Sequence, residues 1–529
     1  MKAENKPTFK KKNIFQRAFM PLEELETYYR EKRKYEQDKE IKYISIRKCF
    51  HPIMVFILFI RRPRLKADEL LHSITETNSK VVFATEMTVP EIMNVMKKTE
   101  IQVIQISPVE SAPLPVQLFV IKKKTHDMLI SWKKFIKTGA NYNDTIDVAF
   151  EKDSVITIVH TGGTTGVPKG VMLTNENFNA MALIHEISGF DQRPKDRFIT
   201  FLPPFIAYCL ANAINDPLYL GLEVTIIPKF DYKEFPKLIM RHRPNHVLGG
   251  PILWEYFIRS ELTQNADLSF LKSPVSGGDV MNIQLEHRIN CFFKKHNCEI
   301  KIQQGYGMSE VAAAACISTN SSYCAGSVGI PFIKNLISIF DVNTGEELSY
   351  GREGEVCIQS PTTMKGYYNN TDATNELIRI HKDGKRWVHT GDLGVMNENG
   401  NLFIKGRMKR MIVRSGNKIF PQTIESIIMG HKNVIDCAVV QMNHNEDRYV
   451  PVAFVILKDN NSVENTVNEI ELLIYDKMPE FNIPYKWIIK SQLALTSINK
   501  IDFKALEKEA ALYENADEKI IVPSETYLH

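Results

Sequence analysis

From Lys66 onward the apolar residues follow two alternating rhythms. ADELLHSITETN (67–78) and VPEIMNVMKKT (89–99) space them along one face of a helix, while KVVFAT (80–85) and QVIQIS (102–107) gather β-branched residues into short runs. Helices alternating with buried strands predict a parallel, doubly wound sheet, so the expected fold class is α/β. SVITIV (154–159) predicts a further strand and Val171–Leu173 a short return strand. Thr174 can then cap a helix that carries Phe178, Met181, Ile184 and Ile187 on one face. LISIFDVNTGEEL, GEVCIQS and GNLFIKG, between about 325 and 405, predict a barrel-like or sandwich-like β subdomain. Beyond about 410, VIDCAVVQM and YVPVAFVIL flank the turn NHNED, and helical VENTVNEIELLIYDKM and strand KWIIK follow, the pattern of a small α+β unit.

The expected organisation is an atypical charged and apolar segment over 1–63, a large domain over 64–405 and a small mobile α+β domain over 406–529. A chain of 529 residues is too long for one ordinary core, which agrees with that division. Residues 22–42 mix both charge signs without an apolar stripe and predict a solvated helix. The run IMVFILFI (53–60) is far shorter than the roughly 20 residues needed to span a bilayer, so a buried strand or helix segment is expected there. Its arginine and lysine flanks leave a peripheral membrane contact as the minor alternative.

Composition excludes more than it identifies. A formal net charge of +4 gives no case for nucleic acid. The eight cysteines include no CxxC pair, so neither a zinc site nor a disulfide framework is indicated. Reduced thiols and the absence of an apolar stretch after the basic N-terminus make a cytoplasmic enzyme the expectation.

The candidate chemistry starts at HTGGTTGVPKG (160–170). Gly162, Gly163 and Gly166 allow close backbone approach, so that successive N–H groups can face one anion. Thr161, Thr164 and Thr165 add hydroxyls, and Lys169 adds a positive charge. The loop joins strand to strand and lacks Gly-Lys-Ser/Thr, whereas a Walker A loop opens into a helix. A flexible polar hairpin is the bland alternative.

Five further segments give the loop its context: SGGD (276–279), QQGYGMSE (303–310), HTGDLG (389–394), GRMKRMIVRSGNKIFPQTIE (406–425) and NKIDFKAL (499–506). Together, in this order, they resemble the adenylate-forming superfamily of acyl- and aryl-CoA synthetases, firefly luciferase and peptide-synthetase adenylation domains. The resemblance runs from about residue 64 to the end. It implies ATP, Mg²⁺ and coenzyme A, with a carboxylic acid as substrate. It implies that Thr161, Gly162, Gly163, Thr164, Thr165, Gly166 and Lys169 hold phosphates and that Gly277, Gly278 and Asp279 border adenine. Gln304, Gly305, Tyr306, Gly307 and Ser309 would shape the same nucleotide site, with the Tyr306 ring stacking on the base. Glu310 would bind Mg²⁺ with Thr165, Asp392 the ribose hydroxyls, and Arg407 the ribose or phosphate. Lys500 would reach the α-phosphate and the carboxylate during adenylation. Lys409 occupies the hinge position, about which the small domain would turn to bring the loop Arg414–Lys418 to the acyl-adenylate.

Four departures from that family stand out. Gly162 replaces a serine, Asn499 a glycine, and Ile206 the histidine of a Phe-His pair. The region before LKADELLHSITETN is also short by two or more strands with their helices, which predicts exposed apolar surface and an unpaired edge. Phe205, Ile206, Ala207 and Met308 suit a fatty or aryl acid. The leading expectation is an AMP-forming acid–thiol ligase acting on a carboxylic, preferably fatty, acid. No carrier domain follows the lysine motif, which favours free coenzyme A. The alternatives are a catalytically weak nucleotide- or acyl-binding protein and a ligase loading a separate carrier protein.

Overall fold

A computed structural model describes residues 58–59, 66–107, 126–139, 151–161, 169–188, 190–227, 230–459, 462–494 and 501–522. The solvated helix expected over 22–42 and the segment Gly162–Pro168 lie outside these residues, as do Asn499 and Lys500. The architecture is a large N-terminal domain followed by a small C-terminal one, with mixed helix and sheet and no closed barrel among the described residues.

Eight strands bear on the candidate site and are numbered in chain order: β1 (Val155–His160), β2 (Gly170–Thr174), β3 (Ser273–Ser276), β4 (Gln303–Tyr306), β5 (Glu353–Gln359), β6 (Gly366–Tyr367), β7 (Arg386–Met396) and β8 (Leu402–Arg407). β1 and β2 form the expected antiparallel hairpin, with Leu58–Phe59 added in parallel to β1 and β6 antiparallel to β2. The apolar run at 53–60 therefore forms a strand at Leu58–Phe59. β3 and β4 lie side by side in parallel at the centre of a seven-stranded sheet. Helices Pro251–Arg259 and Ile283–Lys295 pack on this sheet through Trp254, Phe257, Ile289 and Phe293, all at most 1% exposed. β5, β7 and β8 belong to a five-stranded antiparallel sheet that does not close on itself. The β-rich stretch that predicted a barrel-like or sandwich-like unit is thus an open sheet.

Local chemistry explains the helix after the hairpin. Thr174 Oγ1 accepts the Asn177 N–H at 3.3 Å and Asn177 Oδ1 accepts the Thr174 N–H at 3.0 Å, a reciprocal cap. Phe178, Met181, Ile184 and Ile187 are all buried along helix Asn175–Ile187, as their spacing predicts.

Nearer the start, strands Val81–Thr85, Gln102–Ile106 and Ile130–Ser131 make a separate three-stranded parallel sheet. This sheet is thinly covered. Phe83 is 47% exposed, Met128 62% and Ile136 51%. Helix Trp132–Gly139 buries no residue, and its Trp132 and Phe135 rings meet Phe83 edge-on. This sheet therefore carries exposed apolar side chains. No helix among the described residues is long and apolar enough to cross a membrane.

Candidate active site

The glycine-rich loop leaves and re-enters the hairpin at one point. Thr161 N–H donates to the Lys169 carbonyl at 3.0 Å, and Lys169 N–H donates to Thr161 Oγ1 at 3.2 Å. Gly162, Gly163, Thr164, Thr165 and Gly166, between these anchors, lie outside the described residues. Gly170 closes the hairpin where a Cβ would come within 2.9 Å of Ile158. The Lys169 ammonium sits 4.9 Å from the ring centroid of Tyr367, a residue of β6.

The same tyrosine reaches Glu310. Tyr367 Oη donates to Glu310 Oε1 at 2.6 Å, and Met364 N–H donates to the Glu310 carbonyl at 2.8 Å. Glu310 is 6% exposed. Burial raises its pKa, against the Tyr367 hydrogen bond and the charges of Arg407 and Lys169. Burial and the neighbouring Glu310 also raise the Tyr367 phenol, which therefore stays protonated and donates. Gly307 is required by the fold of this turn, because a Cβ there would lie 1.6 Å from the Ala313 carbonyl oxygen. Ser309 opens the 3₁₀ turn that presents Glu310.

A second buried carboxylate lies at the end of β4. Tyr306 Oη donates to Asp392 Oδ2 at 2.6 Å, and Arg407 Nε pairs with Asp392 Oδ1 at 2.8 Å. Asp392 and Arg407 are cross-strand partners of β7 and β8. Burial raises the Asp392 pKa, opposed by Arg407 and by Tyr306. Each carboxylate oxygen has one protein partner, and a carboxylate offers about four lone-pair sites, so both can still accept from a ligand. The Arg407 side chain is 55% exposed and leaves donors free for an anion. Tyr306, expected as a stacking platform, packs half-buried against the main core and holds Asp392 by its hydroxyl.

β3 and β4 pair at Ser276 and Gln304, which brings SGGD beside QQGYGMSE. Gly277 N–H donates to the Gly249 carbonyl at 2.8 Å, and a Cβ on Gly277 would lie 3.1 Å from Tyr208 Oη and 3.3 Å from the Gly305 carbonyl. Gly278 has φ +80°, a conformation that favours glycine. Gly305 is confined by Ile317, and Asp279 is exposed with its carboxylate turned to its neighbour's N–H.

The sequence profile of the AMP-binding enzyme family matches residues 55–368, and that of the AMP-binding enzyme C-terminal domain matches 423–500. The chain belongs to the AMP-binding enzyme family. Among its relatives, a 4-coumarate–CoA ligase of Arabidopsis thaliana is 29% identical over 77% of this chain and 71% of that protein. A long-chain-fatty-acid–CoA ligase of Bacillus subtilis is 26% identical over 84% of this chain and 80% of that one. Among solved structures, ATP-bound MatB from Rhodopseudomonas palustris superposes with a TM-score of 0.73 at 21% identity, covering 87% of this chain and 84% of that one. A fatty acyl CoA synthetase of Mycobacterium tuberculosis gives 0.58 at 22% identity, covering 88% and 83%. These likenesses establish the fold.

In this AMP-binding enzyme, Tyr367 and Tyr208 also border the candidate site, and no sequence motif singles them out. Tyr208 begins a π-helix, Tyr208–Asn215, a geometry frequent at functional sites. Its hydroxyl is buried without a hydrogen-bond partner, as are Ser276 Oγ and Gln304 Nε2. Neighbouring Ile206 instead turns into a core pocket with Phe198 and Leu222, and Ala207 is fully buried in the main core. Lys409 is exposed in the 3₁₀ turn Met408–Arg410 that follows β8. The loop Arg414–Lys418 is a tight hairpin held by Asp447, which accepts from Arg414 Nε at 2.9 Å and from the Ser415 hydroxyl. Lys500 precedes helix Phe503–Ala511, which Asp502 caps.

Proposed function

We propose that this chain is an ATP-dependent acid–thiol ligase. Its carboxylic acid attacks the α-phosphate of ATP, giving acyl-AMP and pyrophosphate. The thiol of coenzyme A then takes the acyl group and AMP leaves. The observation that carries the reading is the convergence of Lys169 and Glu310 on Tyr367, which sets a cation and a buried carboxylate at the mouth of the glycine-rich loop. A crowded phosphorus centre needs positioning and charge neutralisation more than covalent help.

Glu310 suits a magnesium ion. It is a hard oxygen ligand whose burial disfavours its charge, so a cation would offset that cost. Bound there, Mg²⁺ would neutralise part of the triphosphate charge, with Thr165 the expected second ligand. Lys169 and the loop residues Thr161, Gly162, Gly163, Thr164 and Gly166 would hold the departing phosphates. Asp392, between Tyr306 and Arg407, would accept the ribose hydroxyls, and Gly277, Gly278, Asp279, Gln304 and Gly305 would line the base. Lys500 would approach from the small domain, 406–529, during the first half-reaction only.

For the acid, apolar Phe205 and Met308 support an alkyl or aryl body. Tyr208, whose buried hydroxyl has no partner, favours an acid that also carries a polar group over a plain fatty acid. An ATP–pyrophosphate exchange assay over fatty, hydroxylated and aryl acids tests the reading, followed by thioester formation with coenzyme A. Exchange with one of these acids is the expected result. ATP binding without exchange on any acid would leave a nucleotide-binding protein instead.

A further inference from the structure

A chain of hydrogen-bonded side chains between β5 and β7 plays no part in the reaction as proposed. Gly391 N–H donates to Glu355 Oε1 at 3.1 Å. Glu355 Oε2 meets His389 Nδ1 at 2.8 Å, and His389 Nε2 meets His381 Nε2 at 2.9 Å. The Glu355 and His389 side chains are 12% and 8% exposed. Burial would raise the Glu355 pKa, but His389, the Gly391 N–H and Arg379 outweigh it and the net shift is downward. Glu355 is therefore an acceptor only, so His389 Nδ1 carries a proton. His389 Nε2 and His381 Nε2 share the next hydrogen bond of the chain. Rings hold the outer end in place, with His381 stacked on Trp387 at 5.3 Å and meeting Phe340 edge-on at 4.7 Å.

The inner end lies beside the nucleotide site. Gly391 has φ +69° and sits in a β-bulge opposite Glu355 and Cys357. The next residue is Asp392, whose N–H donates to Thr390 Oγ1 at 3.0 Å while Thr390 Oγ1 donates to the Val356 carbonyl at 2.7 Å. The Asp392 carboxylate is thus carried on a bulge whose Gly391 N–H is held by Glu355, while the Thr390 carbonyl of the same peptide accepts from Arg407 Nη1 at 3.3 Å. Cys357 Sγ lies 3.5 Å from His389 Nδ1, and Glu355, Cys357 and His389 are close enough to hold a metal ion. The carboxylate and the imidazole already satisfy each other, so the cluster is complete without one.

We propose that Glu355, His389 and His381 form a positioning relay that aims Asp392 at the nucleotide. The relay rests on the reading of Asp392 as the ribose ligand. The test measures ATP KM and kcat in pyrophosphate exchange, ATP Kd by calorimetry, and the melting temperature. Glu355→Gln and His389→Leu are expected to raise ATP KM and Kd about tenfold, the scale of a lost charge-assisted hydrogen bond. The KM for the acid should stay within about twofold. The double variant should be no worse than the weaker single one, because residues acting as one unit are not additive. His389→Asn, which keeps a donor toward Glu355, should recover most of the loss. His381→Phe, which keeps the stack on Trp387, should show a smaller rise of the same kind. Variants that melt lower but bind ATP normally would overturn the relay, as would losses that multiply in the double variant. Asp392→Asn separates the two levels. If it binds ATP like the parent, the ribose assignment and the relay both fail. If it loses ATP while the relay variants bind normally, the relay alone fails.

Discussion

Tyr367 Oη donates a 2.6 Å hydrogen bond to Glu310 Oε1 while its ring lies 4.9 Å below the Lys169 ammonium. One side chain thereby registers the exit of the glycine-rich loop against the candidate magnesium ligand. The backbone does the same, since β6 pairs with β2 and Met364 N–H bonds the Glu310 carbonyl. Tyr367→Phe keeps the ring and removes the donor. It should slow adenylation by roughly tenfold to a hundredfold, the scale of a lost hydrogen bond to a charged group. It should also raise the Mg²⁺ concentration needed for half-maximal exchange. Thioester formation from preformed acyl-AMP should be nearly unchanged, and equal loss in both half-reactions would count against the assignment.

Lys500→Ala tests the lysine proposed to act from the small domain. A lysine that stabilises charge only in the adenylation transition state should cost about 10²–10³ in exchange rate when removed. It should spare transfer from preformed acyl-AMP to coenzyme A. Rapid-quench measurement of the two half-reactions decides, and equal damage to both refutes the domain rotation.

Much of the scaffold was legible along the chain, because it is written in short-range signals. The β1–β2 hairpin follows from SVITIV, the glycine-rich turn and Val171–Leu173, and Thr174 caps the next helix as its hydroxyl predicts. The positions of Glu310, Asp392 and Arg407 came from motif resemblance. Their partners did not, because Tyr367 is 57 residues from Glu310 and Tyr306 is 86 from Asp392. Tertiary pairing of this kind leaves no local period. Tyr208 was hidden for another reason. YCLANAIN reads as a plain apolar helix, and only its π-turn and the enclosure beside Gly277 isolate the hydroxyl. The expected barrel opened into a sheet because strand alternation reports a buried face and carries no information on closure.

Asp436, in strand Val434–His444 of the small domain, gives a pH dependence with a definite sign. Burial raises its pKa to about 6, with Asp279, Glu425 and Glu255 adding to the shift and the Cys437 N–H opposing it. A carboxyl with a raised folded-state pKa binds more protons folded than unfolded. Its stabilising effect is complete below about pH 4 and is lost as pH rises through about 6. Asp436→Asn should therefore melt several degrees higher than the parent at pH 7.5 and about the same near pH 3.5, a difference on the order of 2 kcal/mol. Calorimetric scans across this range would expose an opposite trend.

The thin cover over the three-stranded sheet predicts poor solubility and a broad melt. Phe83 is 47% exposed and Phe135 37%, so apolar dye should bind the native protein. Replacing both by serine should lower dye fluorescence and sharpen unfolding without moving ATP affinity. A sharp, reversible melt of the parent with no dye uptake would remove the premise.

The Tyr208 hydroxyl bears on which acid is chosen. It is buried with no partner, and an unpaired buried hydroxyl costs on the order of 1–3 kcal/mol. A bound acid carrying a hydroxyl or carbonyl near Gly277 would repay that cost, whereas a plain alkyl chain would leave it in place. Discrimination should therefore fall mainly on acids that lack the polar group. Tyr208→Phe removes the orphaned oxygen and should reverse the preference. Its kcat/KM for the polar acid should drop by roughly tenfold or more, while that for a saturated fatty acid of similar length should rise or hold. Because the ring is kept, ATP KM should stay the same with either acid, which separates a pocket effect from damage to Gly277. If Tyr208→Phe lowers activity equally on both acids, the hydroxyl serves the fold, and the apolar reading of the acid gains ground.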